Sequence, residues 1–230
     1  MTDRIDYSFE VDPETAGMSR AGVQKIVSVF EQQFADGRNI GAQLVVLRHG
    51  QVILDRAIGV KRLGTMQVVR RVTPFLLFSC TKALTAICVH KLVEEGKLEL
   101  DAPVADYWPE FGTGGKEAAT VAHTLAHQAG IPGRGLYPQI PRWWYWDLVV
   151  SNVAGLEAEF EPGTKTAYHL VNNGFVLGEL VRRVTNVMMD EYMQRELFEP
   201  LGMTHSYLGI PADELLNAAE IYWAAADQLT

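Results

Sequence analysis

Only two stretches of this 230-residue chain read as β-strands, 42–48 and 51–57, and they are neighbours joined at His49-Gly50. Both are rich in β-forming residues, and a short glycine-containing link between them suits a hairpin. Two strands rarely hold together alone in water, so the hairpin needs a covering layer. Residues 20–35 supply one: Val23, Ile26, Val27, Val29 and Phe30 recur at helical spacing, and Gly37 follows as a stop signal. A helix followed by a hairpin begins an α/β or α+β layer, and so little strand predicts an incomplete antiparallel sheet with an open edge and face.

The rest of the chain is helical or loop-like. A helix is expected to start near Ser79 and to end near Glu94-Glu95-Gly96, where the glycine can take the left-handed conformation that closes a helix. Past Asp101 helical segments alternate with loops punctuated by Pro103, Pro109, Gly112, Gly114, Gly115, Pro132, Pro138 and Pro141. Further helices are expected at 173–184, burying Phe175, Val176, Leu177, Leu180, Val181 and Val184, at 189–198, and along 212–230, with Leu215, Leu216, Ala219, Tyr222 and Trp223 on the apolar side. No repeat, low-complexity segment or linker interrupts the chain. It reads as one domain over 1–230, with the helix, the hairpin and the Ser79 helix in 20–100 and a helical lobe in 101–211.

A hydrophobic fraction of 48% over this length suffices for a substantial core. The net charge of -8 and the absence of a dense basic stripe argue against nucleic acid as a partner. The first ten residues are acidic and carry no apolar run, and no later run is long enough to span a bilayer, so a cytoplasmic location and no membrane partner are expected. Cys80 and Cys88 lie about 12 Å apart on a straight helix, beyond the roughly 7 Å limit for a disulfide. Free thiols fit a reducing compartment.

Chemistry concentrates at Ser79-Cys80-Thr81-Lys82. On a helix, positions i and i+3 share a face, so Ser79 Oγ and Lys82 Nζ can converge. A lone hydroxyl is a poor nucleophile and needs such a neighbour. The helix start adds free N–H groups and a partial positive charge for an oxyanion. Packing among Phe75, Leu76, Leu77, Phe78, Leu84 and Ile87 is expected to desolvate the lysine, the direction a base requires. The same four residues also fit a plain N-cap serine followed by a solvated lysine. Cys80 points about 100° away from Ser79 and has no spaced histidine partner. His123 and His127 have the i,i+4 spacing of metal ligands without an acid between them or a third ligand, so no metal and no cofactor are expected. No G-x-S-x-G elbow is present. The aromatic run Trp143-Trp144-Tyr145-Trp146 cannot face one core throughout, so it serves either packing or a substrate pocket.

Several segments resemble, in order, the penicillin-recognising serine hydrolase superfamily, in its class C β-lactamase-like and family VIII esterase-like branch. They are Phe78-Ser79-Cys80-Thr81-Lys82, Leu98-Glu99-Leu100-Asp101-Ala102-Pro103-Val104, Thr124-Leu125-Ala126-His127-Gln128-Ala129-Gly130-Ile131-Pro132, Glu161-Pro162-Gly163-Thr164, Tyr168-His169, Gly174-Phe175-Val176-Leu177-Gly178-Glu179 and Glu199-Pro200-Leu201-Gly202-Met203. The resemblance covers about residues 22–211. It implies a β-lactamase/transpeptidase-like fold and an acyl-serine mechanism, with Ser79 as nucleophile, Lys82 as its partner and Tyr168 as proton relay. His127 belongs to a turn that braces the site, and His169 with Trp143, Trp144 and Trp146 are the substrate-binding candidates. β-Lactamases of this superfamily carry an asparagine two positions after the tyrosine, whereas this chain has Leu170. The resemblance therefore implies a small-molecule carboxylic ester as substrate, for an esterase or a transacylase. A β-lactamase or D-alanyl peptidase is the alternative.

The superfamily's third motif, a Lys/His-Thr-Gly or Trp-Gly-Gly sequence on a strand beside the site, is not found. In relatives that strand gives one N–H of the oxyanion hole. The expectation is a domain incomplete at its C-terminal side: an inactive fragment, or half of an assembly in which a second copy or a complementing chain covers the sheet.

Overall fold

The computed structural model describes residues 9–132 and 144–222. The chain divides into two compact units, Met1–Leu76 with Ile210–Thr230, and Leu77–Gly209. The division falls after Leu76, not near residue 100, so the Ser79 helix goes with the helical unit.

In the first unit, Ser19 caps helix α1 (Arg20–Ala35) by accepting a hydrogen bond from Gly22 N at 3.1 Å. Strands β1 (Gly41–Arg48) and β2 (Gln51–Gly59) pair antiparallel. His49 (φ 51°) and Gly50 (φ 74°) both take positive φ, the conformation a tight two-residue hairpin turn needs. The register shifts between Val46 and Leu47, because Leu47 pairs with Val52 and Val46 with Leu54. Ile53 is the extra residue of this bulge, which explains how the adjacent Ile53 and Leu54 are both buried. They form a small core with Ala16 and Val23, onto which Val27, Leu44 and Val46 pack. Ile26 and Val29, read above as part of the apolar helix face, are exposed, and so are Val45 and Leu47 on the other face of β1.

The helix expected over 212–230 does not form in its described part. Only Leu215–Asn217 makes a short 3-10 turn. Beyond it the backbone bonds away from itself: Ala219 N donates to Pro74 O at 2.9 Å and Glu220 N to Lys61 O at 2.8 Å. The Lys61 ammonium donates to Leu216 O and Asn217 O, and Arg62 pairs with Glu220 at 3.1 Å. These long-range partners replace the i to i-4 bonds of a helix.

The second unit contains α2 (Thr81–Glu94), α3 (Val104–Tyr107), α4 (Val121–Leu125), α5 (Trp146–Ala154), α6 (Asn172–Thr185) and α7 (Met189–Met193). Helix α6 is its axis and touches α2, α3, α4, α5 and α7. Its Val176, Leu177, Leu180 and Val181 are fully buried, as the apolar spacing predicts. The helix expected over 189–198 is α7 followed by a wider π turn, Gln194–Phe198. That widening lets Met193 and Phe198, five positions apart, both enter the core. The architecture is an α/β fold with a mainly helical unit and a two-stranded antiparallel sheet.

Candidate active site

Ser79 sits in a 3-10 turn, Phe78–Cys80, that leads directly into α2. Phe78 takes φ 47°, a left-handed conformation that a bulky residue adopts only when its surroundings hold it there. One helical turn on, Lys82 Nζ lies 3.2 Å from Ser79 Oγ and donates to Leu170 O at 2.9 Å. The Tyr168 hydroxyl donates to the same Ser79 Oγ at 2.6 Å, and the Lys82 ammonium stands 5.0 Å from the centre of the Tyr168 ring. Three side chains, two of them three positions apart and the third nearly ninety residues from Ser79, thus meet at the Ser79 oxygen. Bonding to Ser79, then to Lys82, pushes the Tyr168 hydroxyl below its ordinary pKa.

The support for Tyr168 comes from the segment 127–131. Ala167 N donates to His127 O, Gly163 N to Gln128 O and Glu159 N to Gly130 O, so this turn and residues 159–169 run as one hydrogen-bonded pair. The His127 ring packs against the Tyr168 ring with centroids 4.8 Å apart and planes tilted by 51°, and its Nδ1 accepts from His169 N. Its own pKa is lowered, first by burial and then by the Lys82 charge. His123 closes a capping box with Thr120 at the start of α4. Among the described residues no group of three or more His, Cys, Asp or Glu could hold a metal ion.

Sequence expectations for the neighbouring residues need revision. His169 was a substrate-binding candidate, but it is 0% exposed. Its Nε2 accepts from Ile131 N at 3.0 Å and its Nδ1–H points to Ala167 O, so the neutral ring ties two loops together behind Tyr168. Burial pushes its pKa down, in keeping with that neutral form. The shield expected around Lys82 also differs, since Leu76, Leu77, Phe78 and Ile87 are exposed. Of these only Phe78 lines the cavity of about 480 Å³ that Lys82 borders with Thr81 and Thr85, and most of its apolar wall comes from distant residues, notably Trp146, Leu170 and Phe175. Trp144 is 88% exposed and lies off this cavity. Trp143 lies outside the described residues.

Glu179 escaped the sequence reading. It is fully buried, yet it accepts from Trp146 Nε1 at 2.8 Å, Arg182 Nε at 2.7 Å and Arg183 Nε at 2.7 Å. Burial raises a carboxyl's pKa, but these bonds outweigh it and hold Glu179 below its ordinary value. The signal was present: a carboxylate interrupts the apolar stripe of α6 just three and four positions before two arginines.

Ser79, Lys82 and Tyr168 thus meet on the helical unit of a chain that also carries an antiparallel hairpin, and this fold is shared with proteins of one family. Residues 26–229 match the family Beta-lactamase, to which this chain belongs. It is 36% identical over 203 residues to Esterase/beta-lactamase LipL of Mycobacterium tuberculosis (strain ATCC 25618 / H37Rv), a match covering 85% of this chain and 46% of that protein. Its structure is similar to a penicillin-binding protein homolog from Caulobacter crescentus, with a TM-score of 0.81 and 34% identity over 94% of this chain and 56% of that one. A family VIII carboxylesterase gives the same TM-score and identity over 86% of this chain and 55% of that one. The chain spans about half the length of these relatives. Among the described residues no helix is long and apolar enough to cross a membrane.

Proposed function

We propose that this chain carries the nucleophile of a serine hydrolase that acts on carboxylic esters through an acyl-serine intermediate. The observation that carries the reading is the convergence of Lys82 Nζ and Tyr168 Oη on Ser79 Oγ, at 3.2 and 2.6 Å. In its anionic form, favoured by the neighbouring ammonium, Tyr168 takes the Ser79 proton while Oγ bonds to the ester carbonyl carbon. The oxyanion that forms needs N–H donors, of which the Ser79 amide is the candidate in this chain. Collapse breaks the acyl C–O bond, and the leaving oxygen takes the proton from Tyr168 to depart as the alcohol. Water then gives a proton to the Tyr168 phenolate and attacks the acyl carbon, and Ser79 leaves with that proton. An acceptor alcohol in place of water makes the same site a transacylase.

The name of the LipL relative joins two activities, and Leu170 favours the ester. Its main-chain oxygen is used by Lys82, and its side chain brings hydrocarbon to the site where an amide would hold a β-lactam. Parallel assays with a nitrophenyl ester and a chromogenic cephalosporin are expected to show turnover of the ester alone. Intact-mass analysis after treatment with a fluorophosphonate is expected to show one adduct on the native chain and none on Ser79→Ala. Absence of any adduct on the native chain sinks the enzymatic reading in favour of an inactive fragment or one half of a complemented assembly.

A further inference from the structure

We propose that the cavity beside Lys82 receives the acyl group carried by Ser79, that the Trp146 indole is the wall that sets its length, and that Glu179 is the positioning residue for that wall. The proposal rests on the reading of Ser79 as the acylated nucleophile. The cavity lies wholly within Leu77–Gly209, and its lining includes Phe78 and Lys82, which flank Ser79 in sequence and in space. An acyl chain attached to Oγ therefore starts at its edge. Its volume of about 480 Å³ is that of a small-molecule site. Trp146, Leu170, Phe175, Met188, Met189 and Leu208 make most of the lining apolar. Asp190 also contributes to the wall, which selects against acyl groups ending in a carboxylate. The chemical class that fits is an uncharged aliphatic or aryl acyl group.

Three residues of one face of α6 fix the indole, at positions i, i+3 and i+4. Phe175 meets the ring at 5.6 Å between centroids. Gly178 leaves room for it, since a Cβ there would stand 2.7 Å from the indole Cη2. Glu179 accepts the indole N–H and is itself clamped by Arg182 and Arg183, so the acceptor cannot turn away. A tryptophan held only by apolar contacts could change rotamer when a longer chain enters. One tied to a buried, doubly paired carboxylate is a fixed stop.

The test uses ethyl, hexyl and decyl fluorophosphonates, from which Ser79 Oγ displaces fluoride at phosphorus, with labelling rates read by intact mass. The native chain is expected to react with the hexyl probe about tenfold faster than with the decyl probe. Trp146→Phe, which keeps a ring but loses the bond to Glu179, is expected to reduce that ratio at least fivefold. Glu179→Ala is expected to do the same, with Glu179→Gln restoring much of it because an acceptor for the indole remains. A merely structural role for Glu179 would slow all three probes alike, and an unchanged ratio in Trp146→Phe overturns the proposal. Should no probe label any variant, the acyl-serine reading fails separately. Binding of neutral hexanamide and decanamide to Ser79→Ala, followed by ligand-observed NMR, then decides the pocket. Preference for hexanamide that Trp146→Phe abolishes sustains it, and binding indifferent to chain length or to Trp146 overturns it.

Discussion

Ser79 Oγ has two side-chain partners of different kinds, one local and one distant. Lys82 is fixed by helical geometry, while Tyr168 arrives through the paired loops 127–131 and 159–169. Because bonding to Ser79 and Lys82 lowers the Tyr168 pKa from its usual 10, labelling of Ser79 is expected to rise with pH through an apparent pKa below that value. Lys82→Ala removes the ammonium and is expected to move the rise upward, toward the pKa of an ordinary phenol. Tyr168→Phe keeps the ring that packs against His127 but loses the hydroxyl that carries the proton in the proposed mechanism, and about 100-fold or more of the rate should go with it. A pH profile of single-turnover labelling checks both, and a Tyr168→Phe variant as fast as the native chain would remove Tyr168 from the mechanism.

The elements that hold Tyr168 are short loops, and their precision comes from backbone conformations with little freedom. Gly130 takes φ 82°, and a Cβ there would meet Phe160 O at 2.5 Å. Gly130→Ala therefore combines left-handed strain with a backbone clash and is expected to destabilise the fold by at least about 1 kcal/mol. It should also slow Ser79 labelling, although residue 130 bonds to neither Ser79 nor Lys82, because the turn that carries His127 shifts with it. Urea denaturation together with the labelling rate measures the two effects. Stability loss with unchanged labelling would show that the brace is not what places Tyr168.

At the scale of the molecule, His169, His127 and Glu179 are held in deprotonated states that acid opposes. Burial lowers the pKa of His169 and His127 below 6.5, so below that pH the unfolded chain takes up protons that the folded one refuses. Their contribution is present above about pH 6.5 and is lost as the pH falls toward the folded-state values. Glu179 follows at lower pH: its carboxyl is held below 4.5, so its contribution is present above that value and disappears as the pH drops through the folded pKa. Urea midpoints are expected to hold from pH 8 to 7, to begin falling below 6.5, and to fall further below 4.5. In His169→Gln the first fall should shrink, and a native profile that shows no fall as the pH drops below 6.5 would contradict the neutral, loop-tying histidine.

What the sequence determined by itself was whatever depends on neighbours along the chain. Helical periodicity placed α1, α2 and α6, the His49-Gly50 turn placed the hairpin, and i,i+3 spacing joined Ser79 to Lys82. Tyr168 was legible only through ordered motifs, because no local rule links residues so far apart. Tertiary structure alone decided the rest: that His169 is a buried tie, that Ala219 and Glu220 bond to distant carbonyls instead of continuing a helix, and that Lys82 shares a cavity with Trp146, Leu170 and Phe175. The physical reason is common to all three. Burial and the satisfaction of buried polar groups are set by which distant surfaces meet, and apolar residues next to Lys82 in sequence can face water while Trp146 of α5 and Phe175 of α6 line the cavity it borders.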